Sequence, residues 1–455
     1  MLVQLPKDFI DKYTYLLGEE AEAFFATYNQ PKASGLRVNP LKGSTDTFLA
    51  KQPFQLQPVP FCETGFYYEE AEQPGKHPLH AAGAYYIQEP SAMFVGEVLS
   101  PEPGDIVLDL CAAPGGKSTH LAGRLQGDGL LLANEIHPVR VKALAENVER
   151  LGVRNCIVTN ETPAKLAARL SGFFDKILVD APCSGEGMFR KDPDAISYWS
   201  LEHVENCAKQ QREILHHAYA MLKEGGTLVY STCTFAPEEN EQIIEWLLAE
   251  YPDMELIPIA KEHGLAPGRT EWSRKETDMT SAVRLWPQLL KGEGHFVAKL
   301  RKHGPSSSKV KPVASTVTKQ QFKEYEAFAK QTLSKPAAGI LFTFGMQLYA
   351  VPESSPSFDK LKVIRAGLHL GEFKKNRFEP NHALALALQP DDVQHVISLE
   401  SEQEEWKAYM RGETLQTGGS HGWSVVTIDG YTLGWGKETQ GILKNAYPKG
   451  LRRHI

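Results

Sequence analysis

Two thiols stand fifty residues apart, each just past an apolar run with strand character. Lys176-Ile177-Leu178-Val179 leads into Asp180-Ala181-Pro182-Cys183-Ser184-Gly185, and Thr227-Leu228-Val229-Tyr230 leads into Ser231-Thr232-Cys233-Thr234. A thiolate of lowered pKa is a strong nucleophile. In open α/β sheets ligands bind beyond the carboxyl ends of the strands. Buried cysteines at strand ends are otherwise small apolar fillers, the role expected of Cys62, Cys156 and Cys207. Two thiols that both follow strands make a reactive pair the better reading. The chemistry they suit is carbon methylation of a pyrimidine. Cytosine C5 attacks a methyl sulfonium only after a thiolate has added to C6, and the C5 proton must then leave so that the thiol is expelled. Such a scheme needs a nucleophilic cysteine, an acid near N3 and a base for the C5 proton. Cys183 and Cys233 are the candidates for nucleophile and release group, in either order. Asp180 is the candidate for the N3 edge, and Lys117 for assisting the substrate or polarising the site.

Upstream runs Asp109-Leu110-Cys111-Ala112-Ala113-Pro114-Gly115-Gly116-Lys117, a strand end, a Gly-Pro turn and the start of a helical pattern. Gly115 and Gly116 permit close approach of backbone to a ligand, and a helix N-terminus offers free N–H groups to an anion. The G-x-G-x-x-G fingerprint is absent. Gly116-Lys117-Ser118 mimics the end of a phosphate loop, but Cys111 stands where the loop's first Gly belongs. Glu135 closes the next strand about twenty residues on, where an acid accepts both ribose hydroxyls. Residues 111–117 (Cys111, Ala112, Ala113, Pro114, Gly115, Gly116, Lys117), with Glu135, therefore suit a nucleoside with an anionic amino-acid tail, S-adenosylmethionine. Cys111 itself reads as tight packing within that loop.

The elements that must position these residues alternate strand and helix over 103–302, the pattern of a mostly parallel sheet covered on both faces. The expected strands are Ile106–Leu110, Leu130–Asn134, Cys156–Thr159, Lys176–Asp180 and Thr227–Thr232, closed by His295–Leu300. The expected helices are Lys117–Leu125, Pro138–Leu151, Leu201–Lys223 and Pro237–Ala249. Five units are expected: 1–98, an N-terminal α+β appendage with helical spacing in 8–29 and a short strand at Gly35–Pro40; 99–302, the core; 303–317, a Ser-, Pro- and Gly-rich basic linker; 318–395, an α+β unit; and 396–455, where Trp423–Ile428, an Asp429-Gly430 turn and Tyr431–Gly436 read as a hairpin.

The bulk properties narrow the classes. The six cysteines form no C-x-x-C pair and have no matching histidine pair, which argues against a structural zinc and for a reducing compartment. The start lacks a basic n-region and apolar core, so no signal peptide is expected, and no apolar run approaches the ~20 residues of a membrane span. The net charge is −7 over 455 residues. Its distribution is uneven: residues 1–100 carry 7 basic and 12 acidic side chains, 101–302 carry 23 and 29, and 303–455 carry 19 and 15. Lys444, Lys449, Arg452 and Arg453 crowd the end. They are either a solvated tail or a phosphate-contacting surface.

The chain resembles the Sun-type family of RNA (cytosine-5)-methyltransferases, most closely its bacterial RsmF-like subgroup acting on small-subunit ribosomal RNA. The resemblance rests on Leu36-Arg37-Val38-Asn39, Tyr86-Ile87-Gln88-Glu89-Pro90-Ser91, the 111–117 loop, Asp180–Gly187, Tyr230–Thr234 with Glu238-Glu239-Asn240, Gln211 and Phe296-Val297-Ala298, and spans most of residues 30–302. It implies a Rossmann-like class I core with a seven-stranded sheet. It implies Cys233 as nucleophile and Cys183 as the residue aiding release. It also implies that residues 111–117, Glu135 and Asp180 line the cofactor and base site, and that both flanking regions contact RNA. The stretch Gly434-Trp435-Gly436 with Leu443–Arg452 looks like a PUA-like RNA-binding unit. One departure stands out: Thr162, within Asn160-Glu161-Thr162-Pro163, occupies the place of a family Asp that reads adenine.

Amino-nitrogen methyltransferases need no thiol, and a DNA cytosine methyltransferase would use a Pro-Cys nucleophile. A transfer-RNA substrate, or a non-catalytic RNA-binding assembly factor, are the alternatives to methylation of 16S rRNA. The expected partner is 16S rRNA or the 30S subunit, and the expected state a cytoplasmic monomer without metal.

Overall fold

The computed structural model describes residues 4–192, 194–305, 310–375, 377–419 and 421–452. At its centre lies a ten-stranded sheet. Its strands are β1 (Ile106–Asp109), β2 (Leu130–Asn134), β3 (Cys156–Thr159), β4 (Phe174–Asp180), β5 (Leu222–Thr232), β6 (Met254–Ile257), β7 (Ala266–Pro267), β8 (Val283–Leu285), β9 (His295–Lys302) and β10 (Val363–Ala366). The order is β7-β8-β9-β5-β4-β1-β2-β3-β10, with β6 paired to β9. β3, β2, β1, β4 and β5 are parallel, and β9 runs antiparallel beside β5. The chain leaves β1 toward β2 on one side and reaches β4 on the other. This reversal opens a crevice at the carboxyl ends of β1 and β4.

Both faces of the sheet are covered, which is why its parallel strands read as nearly unbroken apolar runs. Neighbouring side chains point to opposite faces. Leu108, Ile177 and Leu228 pack with α4 (Leu201–Met221) and α5 (Glu241–Glu250). Val107, Leu178 and Val229 pack with α1 (Pro90–Leu99), α2 (Gly116–Leu125) and α3 (Arg140–Arg150).

The sheet is wider than the seven strands expected. β7 and β8 extend one edge, and β10, from far beyond the core, adds antiparallel to β3. The expected helix Pro237–Ala249 is broken: Pro237–Glu239 is a 3-10 turn and α5 begins at Glu241. Asn240 between them is pinned, accepting from Thr232 Oγ1 at 2.6 Å and donating to the Thr234 carbonyl at 2.9 Å. The stretch expected as a linker is anchored in its described part. The Val313 N–H donates to the Ser355 carbonyl at 3.0 Å, and the Val313 side chain is buried with Val351 and Ala366. Residues 306–309 lie outside the described residues, as does Arg453 of the basic end; Lys444, Lys449 and Arg452 are exposed.

The helix Lys7–Leu17 buries Phe9, Tyr13 and Leu17, four residues apart and so on one face. They meet Phe189, Trp199, Phe235 and Trp286 of the core. A four-stranded antiparallel sheet follows (Gly35–Val38, Leu56–Pro58, Gly65–Tyr68, Tyr85–Ile87). Its Leu36, Val38 and Tyr85 share one apolar core with Trp406, Val426, Leu433 and Leu443 near the far end of the chain. In the hairpin Gly422–Ile428 to Tyr431–Thr439, Asp429 and Gly430 both take positive φ, +50° and +87°, as a tight two-residue hairpin turn requires.

Candidate active site

β1 ends on Asp109, which is fully buried and whose Oδ2 accepts from Ser118 Oγ at 2.6 Å. Burial pushes the Asp109 carboxyl up to about 7, Ser118 opposing and Asp180 reinforcing. Its Oδ1 has no hydrogen-bond partner among the described residues. The 111–117 loop turns at Gly115, whose φ of +112° favours glycine, and a Cβ there would lie 3.2 Å from Leu144 Cδ1. The loop is tied outward. Arg140 donates to the Ala113 carbonyl and Asn147 to the Pro114 carbonyl, each at 2.9 Å. Arg37, from the N-terminal sheet, donates to the Gly116 carbonyl at 3.1 Å, Thr119 Oγ1 at 3.0 Å and Gln88 Oε1 at 3.0 Å. Asn39 of the same motif donates to the carbonyls of Gly83 and Leu151 at 2.8 and 2.9 Å. The Leu36–Asn39 motif is thus the brace that holds the N-terminal sheet against the loop.

A cavity of about 320 Å³ occupies the crevice, with Asp109, Cys111–Pro114, Gly116, Lys117, Asp180 and Cys233 in its walls. A hollow of about 510 Å³ between the first helix and the start of α5 contains no thiol. Within the cavity Lys117 Nζ donates to Asp180 Oδ2 at 2.8 Å, and Ser231 Oγ to Asp180 Oδ1 at 2.8 Å. Burial alone would lower the Lys117 ammonium, but Asp180 opposite it more than compensates, so Lys117 stays charged. The two sulfurs, Cys183 Sγ and Cys233 Sγ, are 3.4 Å apart. The Cys183 thiol is pushed well up by its hydrogen bond to Cys233 and by burial. Cys111 is likewise pushed up by burial, in keeping with packing rather than reaction.

Two buried carboxylates hold the thiol loops together. Glu239 accepts from Gln211 Nε2 at 2.8 Å, from the Ser184 N–H at 3.0 Å and from the Ser184 hydroxyl. Burial raises it to about 7 against these donors. Glu186 accepts from Trp199 Nε1 at 3.0 Å, Thr234 Oγ1 at 2.8 Å, the Phe235 N–H at 2.9 Å and Tyr13. The Gly187 N–H donates to the Cys233 carbonyl at 2.8 Å. The Cys183 loop and the Cys233 loop are one hydrogen-bonded unit, and the Gln211 and Glu239 motifs serve to build it.

Not every expected residue lines the cavity. Gly115 shapes the turn, and Cys183 lies behind Cys233. Glu135 follows β2 as expected but is buried at 3 % exposure, accepting from the His137 N–H at 2.8 Å with Arg140 3.7 Å away. The stretch 160–162 is engaged elsewhere. Asn160 donates to the carbonyls of Glu135 and Ile136 and accepts from Lys362 Nζ, Glu161 accepts from the Lys362 N–H, and Thr162 caps the helix Pro163–Ala167. Arg140, Met188, Lys191, Glu89 and His295 also line the cavity and were not singled out from sequence. Arg140, Met188, Lys191 and Glu89 come from helix ends and loops with no periodic pattern, Glu89 lay unassigned within a quoted motif, and His295 was read only as the start of the closing strand.

The cavity fits the cofactor inferred from sequence. A buried acceptor without a partner, Asp109 Oδ1, lies at its floor, and a Cβ on Gly116 would stand 3.0 Å from Tyr86 at its wall. The 111–117 loop and the start of α2 would hold the amino-acid tail. Fold and site together define a Rossmann-like S-adenosylmethionine-dependent methyltransferase with one thiol in the cavity wall and a second in contact with it. Family models match over nearly the whole chain: 16S rRNA methyltransferase RsmB/F over 96–301, the N-terminal domain of 16S rRNA methyltransferase RsmF over 5–90, the RsmF first C-terminal domain over 327–388 and the RsmF PUA domain over 396–453. The ribosomal RNA small subunit methyltransferase F of Cronobacter sakazakii is 34 % identical, covering 99 % of this chain and 97 % of that protein. That of Klebsiella pneumoniae is 36 % identical over 94 % and 92 %. A methyltransferase homologue from Pyrococcus horikoshii is 35 % identical with a TM-score of 0.58, covering 66 % of this chain and 96 % of its own. NSun6 from Pyrococcus horikoshii, solved with SFG, is 25 % identical with a TM-score of 0.57, covering 67 % and 100 %. The chain belongs to the 16S rRNA methyltransferase RsmB/F family. No helix among the described residues is long and apolar enough to cross a membrane.

Proposed function

We propose that this protein methylates C5 of a cytosine in 16S rRNA, with Cys233 as nucleophile and Cys183 as the group that aids its release. The observation that carries the reading is the pairing of the two sulfurs at 3.4 Å beside the Lys117–Asp180 ion pair. S-adenosylmethionine supplies the methyl group as a sulfonium electrophile. Cys233 adds to C6 and converts C5 into an enamine carbon that takes the methyl. Asp180, held by Lys117 and Ser231, is assigned to the N3 edge, where electron density builds as the thiolate adds and a proton at N3 neutralises it. The Cys183 thiol, kept protonated by burial and by its neighbour, donates to the Cys233 sulfur as that sulfur leaves. The 111–117 loop and Asp180 are assigned to the cofactor side of the cavity, with Glu135, outside its lining, as the ribose acceptor.

The flanking regions are proposed as the RNA-contacting parts. This is supported by the match of residues 396–453 to the RsmF PUA domain model, by the excess of basic residues beyond 302, and by the exposure of Lys444, Lys449 and Arg452. The target cytosine must be flipped out of any helix to reach a cavity of this size. The protein is proposed to act as a monomer without metal in the cytoplasm, where thiols stay reduced.

The test is methyl transfer from labelled S-adenosylmethionine to 30S subunits, naked 16S rRNA and bulk transfer RNA, by wild type and Cys233→Ala. Label on ribosomal RNA that the variant cannot produce supports the reading. Label on transfer RNA alone overturns the substrate. Absence of label with cofactor binding intact overturns the catalytic reading in favour of an assembly factor.

A further inference from the structure

The proposed chemistry needs a base for the C5 proton, and neither thiol is suited to be that base. Cys183 is held as a proton donor toward Cys233, and Cys233 is bonded to C6 when the proton must leave. Most other acids and bases in the cavity wall are already engaged. Asp180 is taken by Lys117 and Ser231. Glu89 accepts from the N–H groups of Ser91, Ala92 and Glu293 and from the Ser91 hydroxyl. Glu293 accepts from Arg190 at 2.7 Å and from the Ala33 N–H at 3.1 Å. Asp109 keeps a free oxygen, but β1 is separated from β5 by β4.

His295 differs. It opens β9, the strand that pairs Phe296 with Thr232 of β5, so His295 and Cys233 stand one residue beyond that pair on neighbouring strands. The ring is 5 % exposed and lines the cavity, and neither ring nitrogen has a hydrogen-bond partner among the described residues. A buried polar group without a partner is costly and in need of a reason. Its Nδ1 lies 3.9 Å from Glu89 Oε2, a carboxylate fixed by its four donors. With a proton on Nδ1, facing Glu89, Nε2 keeps its lone pair; both nitrogens are closed off in this structure, so Nε2 meets the substrate through a turn of the ring.

We propose that His295 is a catalytic residue of this reaction, the base that takes the C5 proton from the methylated adduct. The inference rests on the C5-methylation reading above. Nε2 takes the proton, and the C5–H electron pair becomes the C5=C6 double bond. The C6–Sγ bond breaks, its pair returns to the Cys233 sulfur, and the Cys183 thiol stabilises the thiolate. The imidazolium, opposite Glu89, then passes its proton to solvent. Burial and the Lys117 ammonium lower the imidazole to about 4 against the pull of Glu89 and Asp180, so the ring waits in its neutral form.

The experiment uses ribosomal RNA tritiated at cytosine C5 together with S-adenosylmethionine carrying a 14C methyl group. Wild type is expected to release one tritium per methyl transferred, without lasting adduct. His295→Gln is expected to slow tritium release by a hundredfold or more, within the ~10²–10⁴ range of general base catalysis. It should accumulate a Cys233–RNA adduct that carries the methyl and retains the tritium. His295→Ala should regain turnover when imidazole is added, which a purely structural histidine would not allow. Tritium release by His295→Gln at the wild-type rate overturns the proposal. So does a loss confined to KM, with no adduct and no rescue by imidazole. If wild type itself transfers no methyl and releases no tritium, the methylation reading fails and the role of His295 falls with it.

Discussion

Replacing Cys183 by Ala separates the roles of the two thiols. In the structure the Cys183 thiol lies 3.4 Å from the Cys233 sulfur and is kept protonated by burial and by that contact. When Cys233 is expelled from C6, the thiol meets a developing thiolate, and a hydrogen bond to a charged acceptor is worth ~1.5–3 kcal/mol. At 1.36 kcal/mol per decade this alone slows release by about 10–150-fold in Cys183→Ala, before any contribution from proton transfer. Addition and methyl transfer precede that step, so the variant should still react once. The assay is a quenched time course of enzyme with end-labelled rRNA and S-adenosylmethionine, resolved on a denaturing gel. Cys183→Ala should build an adduct approaching one RNA per active enzyme, while wild type shows only a transient trace and Cys233→Ala none. Cys183→Ser, which keeps a donor, should fall between. A Cys183→Ala variant that turns over within about threefold of wild type without adduct would refute the reasoning, and an adduct in Cys233→Ala would reverse the assignment.

Arg284 and Glu241 form a fully buried pair bonded at 2.6 and 2.7 Å, with Arg284 between Trp272 and Trp286 and donating to the Phe235 carbonyl at 3.1 Å. Arg284→Met should cost ~3–5 kcal/mol, because it strands a buried carboxylate. The double variant Arg284→Met/Glu241→Met should recover much of that loss in denaturant unfolding, and additive losses would contradict the pairing. Asp109, raised to about 7 in the fold, favours the folded state while protonated. That contribution is full below the unfolded value near 3.8 and is lost as pH rises toward 7. The melting temperature of Asp109→Asn should therefore gain on wild type across that window and level off above it, and a gap independent of pH would count against the burial argument. Arg37→Met should weaken S-adenosylmethionine binding, measured calorimetrically, by about tenfold, since two acceptors at the start of α2 and the Gln88 amide at the cavity wall lose their charged donor. Unchanged affinity would show that the brace does not shape the loop.

Several pieces of this molecule were legible in the chain alone because local physics encodes them. β1 to β3 and the C-terminal halves of β4 and β5 are short apolar runs buried on both faces, and the expected strands lie within or one residue beyond the observed ones. Gly115 announces a turn because few other residues accept its backbone angles. The two thiols were readable because parallel strands deliver their C-terminal ends to one edge. Other parts left no local trace. β10 is an unremarkable run, Val363–Ala366, whose edge pairing with β3 depends on a partner some two hundred residues away. The apparent linker is anchored because Val313 has a pocket, and its composition could not say so. The 160–162 stretch stood out because Thr162 takes the place of a family Asp that reads adenine, and composition could not say that its side chains are spent on Lys362 and on their own loop.

By itself, then, the sequence determined the alternating core, the glycine turn, the pair of thiols and the acid and lysine that accompany them, since each follows from residue type and spacing. Only the tertiary structure decided how these meet. It brought the two sulfurs to 3.4 Å, paired Lys117 with Asp180, and left His295 without partners beside Cys233. It also merged the first sheet and the last into one apolar core. The physical reason is that contacts between residues fifty to four hundred positions apart are set by packing and by the need to satisfy buried polar groups. Those demands act on the whole chain at once and are not written in any one segment.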